Sequence, residues 1–176
     1  MKDVTDKNFG AIIAFLLPGF FVLWGLAYSF PEIWTWLVKS SGGGAPSIGG
    51  FLYATLASLA LGLIISAVRW MIMDTFLHRV TRVDRPELDF GKLTDKDVFA
   101  AFQAVVENHY RYYQYYSNTF VSVSVASIAY LIFGKDSRSC IVWVTIIFVC
   151  FALLLASRDC LAKYYSRAEQ IIAPVK

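Results

Sequence analysis

Apolar and polar positions along this chain fall into long blocks, not the short strides of a soluble domain. Residues 9–30, 48–68, 117–133 and 140–157 contain no Asp, Glu, Lys, Arg or His. Each block approaches the roughly 20 residues that carry a helix across a hydrocarbon core about 30 Å thick. The pattern predicts an all-α fold, a polytopic membrane protein with four transmembrane helices. Residues 69–116 read as a cytoplasmic helical stalk made from extensions of spans two and three. Residues 158–176 read as a cytoplasmic C-terminal helix that ends just before Pro174.

The stretch 94–133 has no Pro or Gly and is expected to be one continuous helix. Thr94 is placed to N-cap it, with Asp95 and Asp97 in the first turn, where the helix dipole favours acids. Val98, Phe99, Phe102, Val105 and Val106 recur at helical spacing. A knot of tyrosines follows, Tyr110, Tyr112, Tyr113, Tyr115 and Tyr116, and from Phe120 onward the stretch is uncharged. The helix therefore starts in water, crosses an interface at the tyrosines and ends in lipid. The tyrosines read as interfacial anchors or, alternatively, as a ligand-stacking site. At about 100° per residue, Glu107, Arg111, Gln114, Asn118 and Ser122 gather within an arc of roughly 80°. That polar stripe either hydrogen-bonds to another helix or faces an aqueous vestibule in an oligomer.

In the second block Ala54, Ser58, Gly62 and Ser66 recur every fourth position. Such a stripe of small residues lets membrane helices approach closely, within one chain or between subunits. Pro18 and Gly19 fall inside the first block, which is tolerated when neighbouring helices cover the freed backbone. That block is too long for a signal-peptide core and lacks a clear small-residue cleavage site, so it is expected to stay. Trp24, Tyr28, Trp34 and Trp36 predict an aromatic belt at its far end. The connection 40–50 is Gly- and Ser-rich and too short for a further domain.

Charge sets the orientation. Of the 16 Lys and Arg residues, only Lys39, Lys135 and Arg138 lie in the two short connections; the rest flank the N-terminus, the stalk and the C-terminal tail. Cytoplasmic loops carry the excess of basic residues, so the expected topology is N-in/C-in with the stalk inside. The stalk carries as many acids as bases, which argues against nucleic-acid binding. Arg79, Arg82 and Arg85 form a candidate site for an anionic, nucleotide-type ligand or a cytoplasmic protein; the plainer reading is a set of positive-inside anchors.

Enzyme motifs are missing: there is no G-x-S-x-G, HExxH, P-loop or Gly-rich dinucleotide fingerprint. Asp74 with His78, and Glu107 with His109, are the only pairs with a hint of metal-ligand character. The second pair points to different helix faces, so no metal and no cofactor are expected. Cys140, Cys150 and Cys160 are about 15 Å apart along one helix and cannot bridge. The spans hold no ionisable group of the kind that marks ion-coupled transport.

Three stretches, NFGAIIAFLLPGF (8–20), FLYATLASLALGLIISAVRWMIMD (51–74) and NHYRYYQYYSNT (108–119), resemble a group of small bacterial four-span membrane proteins. They cover a little over a quarter of the chain, and the tyrosine run is the most specific of them. The resemblance implies a multi-pass protein of the bacterial inner membrane and carries no activity to particular residues. The layout is also similar to small membrane effectors of antiphage systems, which oligomerise and permeabilise the inner membrane on a cytoplasmic signal. That likeness is one of architecture, which does not fix function.

Together these features lead to the expectation of a homo-oligomeric inner-membrane channel or pore-type effector, gated from its cytoplasmic stalk, with the lipid bilayer and further copies of itself as partners. The alternative is a non-conducting membrane anchor or sensor subunit that recruits a cytoplasmic partner through the same stalk. A small membrane enzyme is a distant third.

Overall fold

The computed structural model describes residues 2–37, 48–75, 79, 83, 85–134 and 140–173, with side chains described from Ile12 onward. Five helices carry the fold: α1 (Lys2–Ala27), α2 (Pro31–Leu37), α3 (Ile48–Asp74), α4 (Lys96–Phe133) and α5 (Cys140–Ile172). A 3-10 turn, Phe90–Thr94, precedes α4. No strand occurs among the described residues. Helices α3, α4 and α5 are long and apolar enough to cross a membrane, and α1 adds the shorter apolar run Ile12–Ala27. His78, Arg82, most of the 40–50 connection and the 135–139 turn lie outside the described residues.

The long helix of 94–133 forms with one change at its start. Asp95, not Thr94, is the N-cap: its carboxylate accepts from the backbone N–H groups of Asp97 (2.8 Å) and Val98 (3.2 Å). An acidic cap both fills orphan donors and meets the positive end of the helix dipole. Thr94 instead closes the 3-10 turn, donating to the Gly91 carbonyl at 3.1 Å. The first apolar helix is also shorter than the block that predicts it. It stops at Ala27, the backbone turns through residues 28–30, and Pro31 opens α2. Proline suits a first helical position because its missing N–H has no partner to lose there. The turn folds Trp34 back onto Trp24, with ring centroids 5.9 Å apart, and Tyr28 onto Tyr130 at 5.3 Å. The expected aromatic belt is thus a packed cluster.

Helix α1 lies between α3 and α4, and α5 packs along α4. Glycine makes the inner contacts close. A Cβ at Gly19 would sit 1.7 Å from the Ser58 carbonyl oxygen, and one at Gly62 would sit 2.0 Å from that of Phe15. On the other side of α1, a Cβ at Gly25 would come within 2.6 Å of the Ala126 Cα. These backbones touch with no side chain between them, which is how membrane helices gain dispersion energy when lipid is as apolar as leucine. The small stripe of α3 faces this seam: Ala54, Ser58 and Gly62 are buried and Ser66 is half-buried.

The outward face is apolar. Phe51, Leu56, Leu63 and Ile64 of α3 and Ile141, Ile147, Phe148 and Phe151 of α5 are exposed. Exposed hydroxyl side chains on these faces turn inward to their own helix: Thr55 donates to Phe51 O at 2.8 Å and Thr145 to Ile141 O at 2.9 Å. A helix in lipid must satisfy its polar atoms internally.

At the other end the connecting segment is clamped to the end of α5. The Asp89 N–H donates to Ile172 O at 2.9 Å, and the Lys92 ammonium donates to Ala173 O. A cation and an N–H on the last carbonyls complement the negative end of that helix.

Gly62→Ala is expected to destabilise the protein by about 1–3 kcal/mol, the usual cost of overpacking a tight core. Gly91→Ala should cost much less, since its added carbon meets only the Asp89 carboxylate, at 3.0 Å. Unfolding in dodecyl sulfate, followed by tryptophan fluorescence, compares the two. Equal midpoints for Gly62→Ala and the native protein would mean that α1 and α3 are not in backbone contact.

Candidate functional site at the junction of spans and stalk

Where the apolar run of α3 ends, the helix widens. Residues Trp70–Asp74 form a π turn, and α4 has a second one at Val106–Tyr110. Residues five apart on a regular α-helix point about 140° apart, but the i to i+5 bonding of a π turn brings them onto one side. Arg69 and Asp74 use this: their side chains pair at 3.0 Å. Arg69 is only 3% exposed, and its Nε has no partner among the described residues.

Tyr113 of α4 completes the cluster. It is 1% exposed, its hydroxyl donates to the Asp74 carboxylate, and its ring lies under the Arg69 guanidinium, 5.1 Å from ring centre to Cζ. One side chain therefore offers a donor to the acid and a π face to the base. Tyr113 lies before the uncharged stretch 117–133. Burial, then the hydrogen bond and charge of Asp74, push its phenol far above the ordinary value. The hydroxyl stays a donor at any physiological pH.

A ladder of rings runs from this cluster to the 3-10 turn. Tyr113 meets Tyr110 at 5.7 Å, Tyr110 meets Tyr164 of α5 at 5.0 Å, Tyr164 meets Phe102 at 6.5 Å, and Phe102 meets Phe90 at 6.3 Å. Beside the ladder lies a cavity of about 920 Å³, bordered by Asp74, Arg85, Tyr110, Tyr113, Tyr164 and Tyr165 among others. Burial raises the phenols of Tyr164 and Tyr165, opposed by the positive charge of Arg85.

The polar stripe of α4 divides in two. Near the stalk, Glu107 lies 3.8 Å from Arg111 and accepts from Gln103 at 3.3 Å, and Gln114 is half-buried. Further along, Asn118 and Ser122 are fully enclosed, at 0% exposure. The Asn118 amide donates to Ala14 O at 3.2 Å. Ala14 is four residues before Pro18, which has no N–H to give to that carbonyl. Asn118 supplies the donor that the proline withholds. Within one chain this part of the stripe meets protein, not water.

The tyrosine knot divides as well. Tyr112 is exposed, Tyr110, Tyr115 and Tyr116 are half-buried, and Tyr113 is in the core. Helical spacing accounts for it, since Tyr110, Tyr113 and the buried Ser117 share a face that Tyr112 and Tyr116 do not. Of the three arginines proposed as one site, Arg85 borders the cavity, Arg79 is exposed and does not border it, and Arg82 lies outside the described residues. Among the described residues no three His, Cys, Asp or Glu side chains come together.

Sequence reasoning passed over Arg69, counted only as a topology signal, and Tyr164, Tyr165 and Phe90 altogether. The usable signal was an arginine closing an apolar run with an acid five residues on. Comparison with protein-family models, curated proteins and solved structures finds no match to this chain.

Two tests follow from the geometry. Asp74→Ala leaves Arg69 buried without its counter-charge and should cost about 3–5 kcal/mol. The double variant Arg69→Met, Asp74→Leu should recover most of that, and additive losses in dodecyl sulfate unfolding would show that the two do not act as a pair. Asn118→Leu should cost about 1–3 kcal/mol by orphaning a buried carbonyl. Adding Pro18→Ala, which restores the helical N–H, should return a large part of it. No recovery in the double variant would separate Asn118 from the proline.

Proposed function

We propose that this protein is a four-span sensor or anchor subunit of the bacterial inner membrane, with both termini and the 69–116 stalk in the cytoplasm. α1 serves as the fourth span. A cytoplasmic signal acts on the stalk, and the membrane helices respond. The observation that carries this reading is the Arg69–Asp74–Tyr113 cluster, a buried arginine and tyrosine on a half-buried acid, which joins α3 to α4 where the apolar spans give way to the stalk. Buried ionisable groups at the edge of a membrane are costly and are kept where they do work. A π turn in each helix near the cluster gives both a second backbone geometry to fall into. A ligand or partner that prefers one arrangement shifts the population between them.

The channel reading drew on the small-residue stripe of α3, the polar stripe of α4 and their continuation into the stalk. With Asn118 and Ser122 enclosed against protein in the single chain, a conducting oligomer would need a pore wall made from other residues. A role in antiphage defence has only the likeness of layout behind it.

Spin labels at Thr75 and Tyr112, both exposed, report the separation of α3 and α4 at the cluster. In nanodiscs the native protein should give one dominant distance and Tyr113→Phe a second, well-populated one. An unchanged single distance would remove the switch. Planar-bilayer recording of the native chain should show no unitary conductance. Current steps altered by Ser122→Leu would restore the pore.

A further inference from the structure

The cavity beside the aromatic ladder has a composition of its own. Its volume of about 920 Å³ is in the range of small-molecule sites. Arg85 borders it and makes no ion pair among the described residues. Tyr164 and Tyr165 stand beside Arg85, close enough that its charge bears on both phenols, and both are half-buried hydroxyl donors. The carboxylate on the wall, Asp74, is already matched by Arg69 at 3.0 Å. Among the described residues the wall therefore presents one guanidinium without an ion pair and the phenol of Tyr164 beside it, with the planar rings of the ladder alongside. Its rim is apolar: Trp70 is 66%, Met71 68% and Phe90 59% exposed. Trp70 and Met71 also follow directly on the end of the apolar run of α3.

A guanidinium with hydroxyl donors suits phosphate oxygens, and an apolar, aromatic rim suits an acyl chain or a planar ring. We infer that this cavity binds an organic phosphate ester, its phosphate on Arg85 and Tyr164 and its apolar part against Trp70 and Phe90. Two sources present this chemistry: the headgroup of an anionic phospholipid, entering beside Trp70, and a soluble nucleotide-like phosphate. The inference rests on the sensor reading above and supplies the class of signal.

Native mass spectrometry of the full chain in detergent separates the sources. One arm adds dioleoylphosphatidylglycerol, with dioleoylglycerol as the phosphate-free control. The other adds adenosine 5′-monophosphate, with adenosine as control. Retention of either phosphate over its control is expected, weakened about tenfold or more by Arg85→Gln, in line with a charge-assisted hydrogen bond. Arg85→Lys should lose less, since it keeps the charge but not the fork, and Tyr164→Phe should weaken binding several-fold. Arg158→Gln, an exposed cation outside the cavity, should change nothing. Lipid retained without the nucleotide assigns the headgroup, and the reverse assigns the soluble ligand. No retention over either control overturns the inference, as does binding by Arg85→Gln equal to the native chain or an equal loss in Arg158→Gln. The Thr75–Tyr112 label distances need no ligand. A failed binding test with two label distances in Tyr113→Phe therefore sinks the ligand and leaves the switch.

Discussion

A proline in the middle of a packed apolar helix must have its freed carbonyl answered by something, and here the answer comes from Asn118 of α4. The rest of the membrane half can be read from that requirement. An asparagine amide is short, so α4 must lie close to α1, and Gly25 against Ala126 permits that approach. On the opposite side of α1, Gly19 and Gly62 bring α3 equally near. α1 is thereby fixed in register with both neighbours by one hydrogen bond and three glycines. Contacts of this kind define geometry more sharply than leucine on leucine, because lipid competes equally well for an apolar side chain but cannot donate to a carbonyl.

Near the stalk the same helices are held by different means. The glycine seam gives way to a part-buried ion pair, a tyrosine and a ladder of rings that reaches α5. Breaking one partner of such a pair is costly, yet the pair as a whole adds little beyond what an apolar replacement would give. Its value lies in specifying one arrangement. Placing it between two π turns puts a demanding polar geometry at the least regular part of both helices.

How far this was legible in the sequence differs by feature. Apolar runs free of charge are unmistakable, and the helices of 48–68, 117–133 and 140–157 lie where the blocks lie. The long helix into the membrane was legible because no Gly or Pro interrupts it. The stripe through Asn118 was visible as a face, but not what it faces, because that depends on Pro18, about a hundred residues away. Tyr113 illustrates the opposite difficulty. A tyrosine at a membrane edge is ordinarily an anchor, and only the neighbouring Arg69 and Asp74 make it a core residue. The π turns left no mark that periodicity could detect, since a single five-residue turn shifts the pattern by one position. Thr94 lost the cap to Asp95 because the preceding residues form a 3-10 turn that uses the threonine hydroxyl.

Helix α5 is one rod of 33 residues, held at its lower end by Asp89 and Lys92 and resting on α4. At about 1.5 Å per residue it is roughly 50 Å long, and Leu161, its buried contact near the junction, sits well below the middle. Leu161 thus divides the rod into a long arm toward Cys140 and a short arm toward Ile172. A tilt of about ten degrees at Leu161 would carry the Cys140 end roughly 5 Å through the bilayer, about half a helix diameter. A small change of angle near Leu161 is therefore magnified at the Cys140 end of the rod, where Trp143 rests on Tyr130.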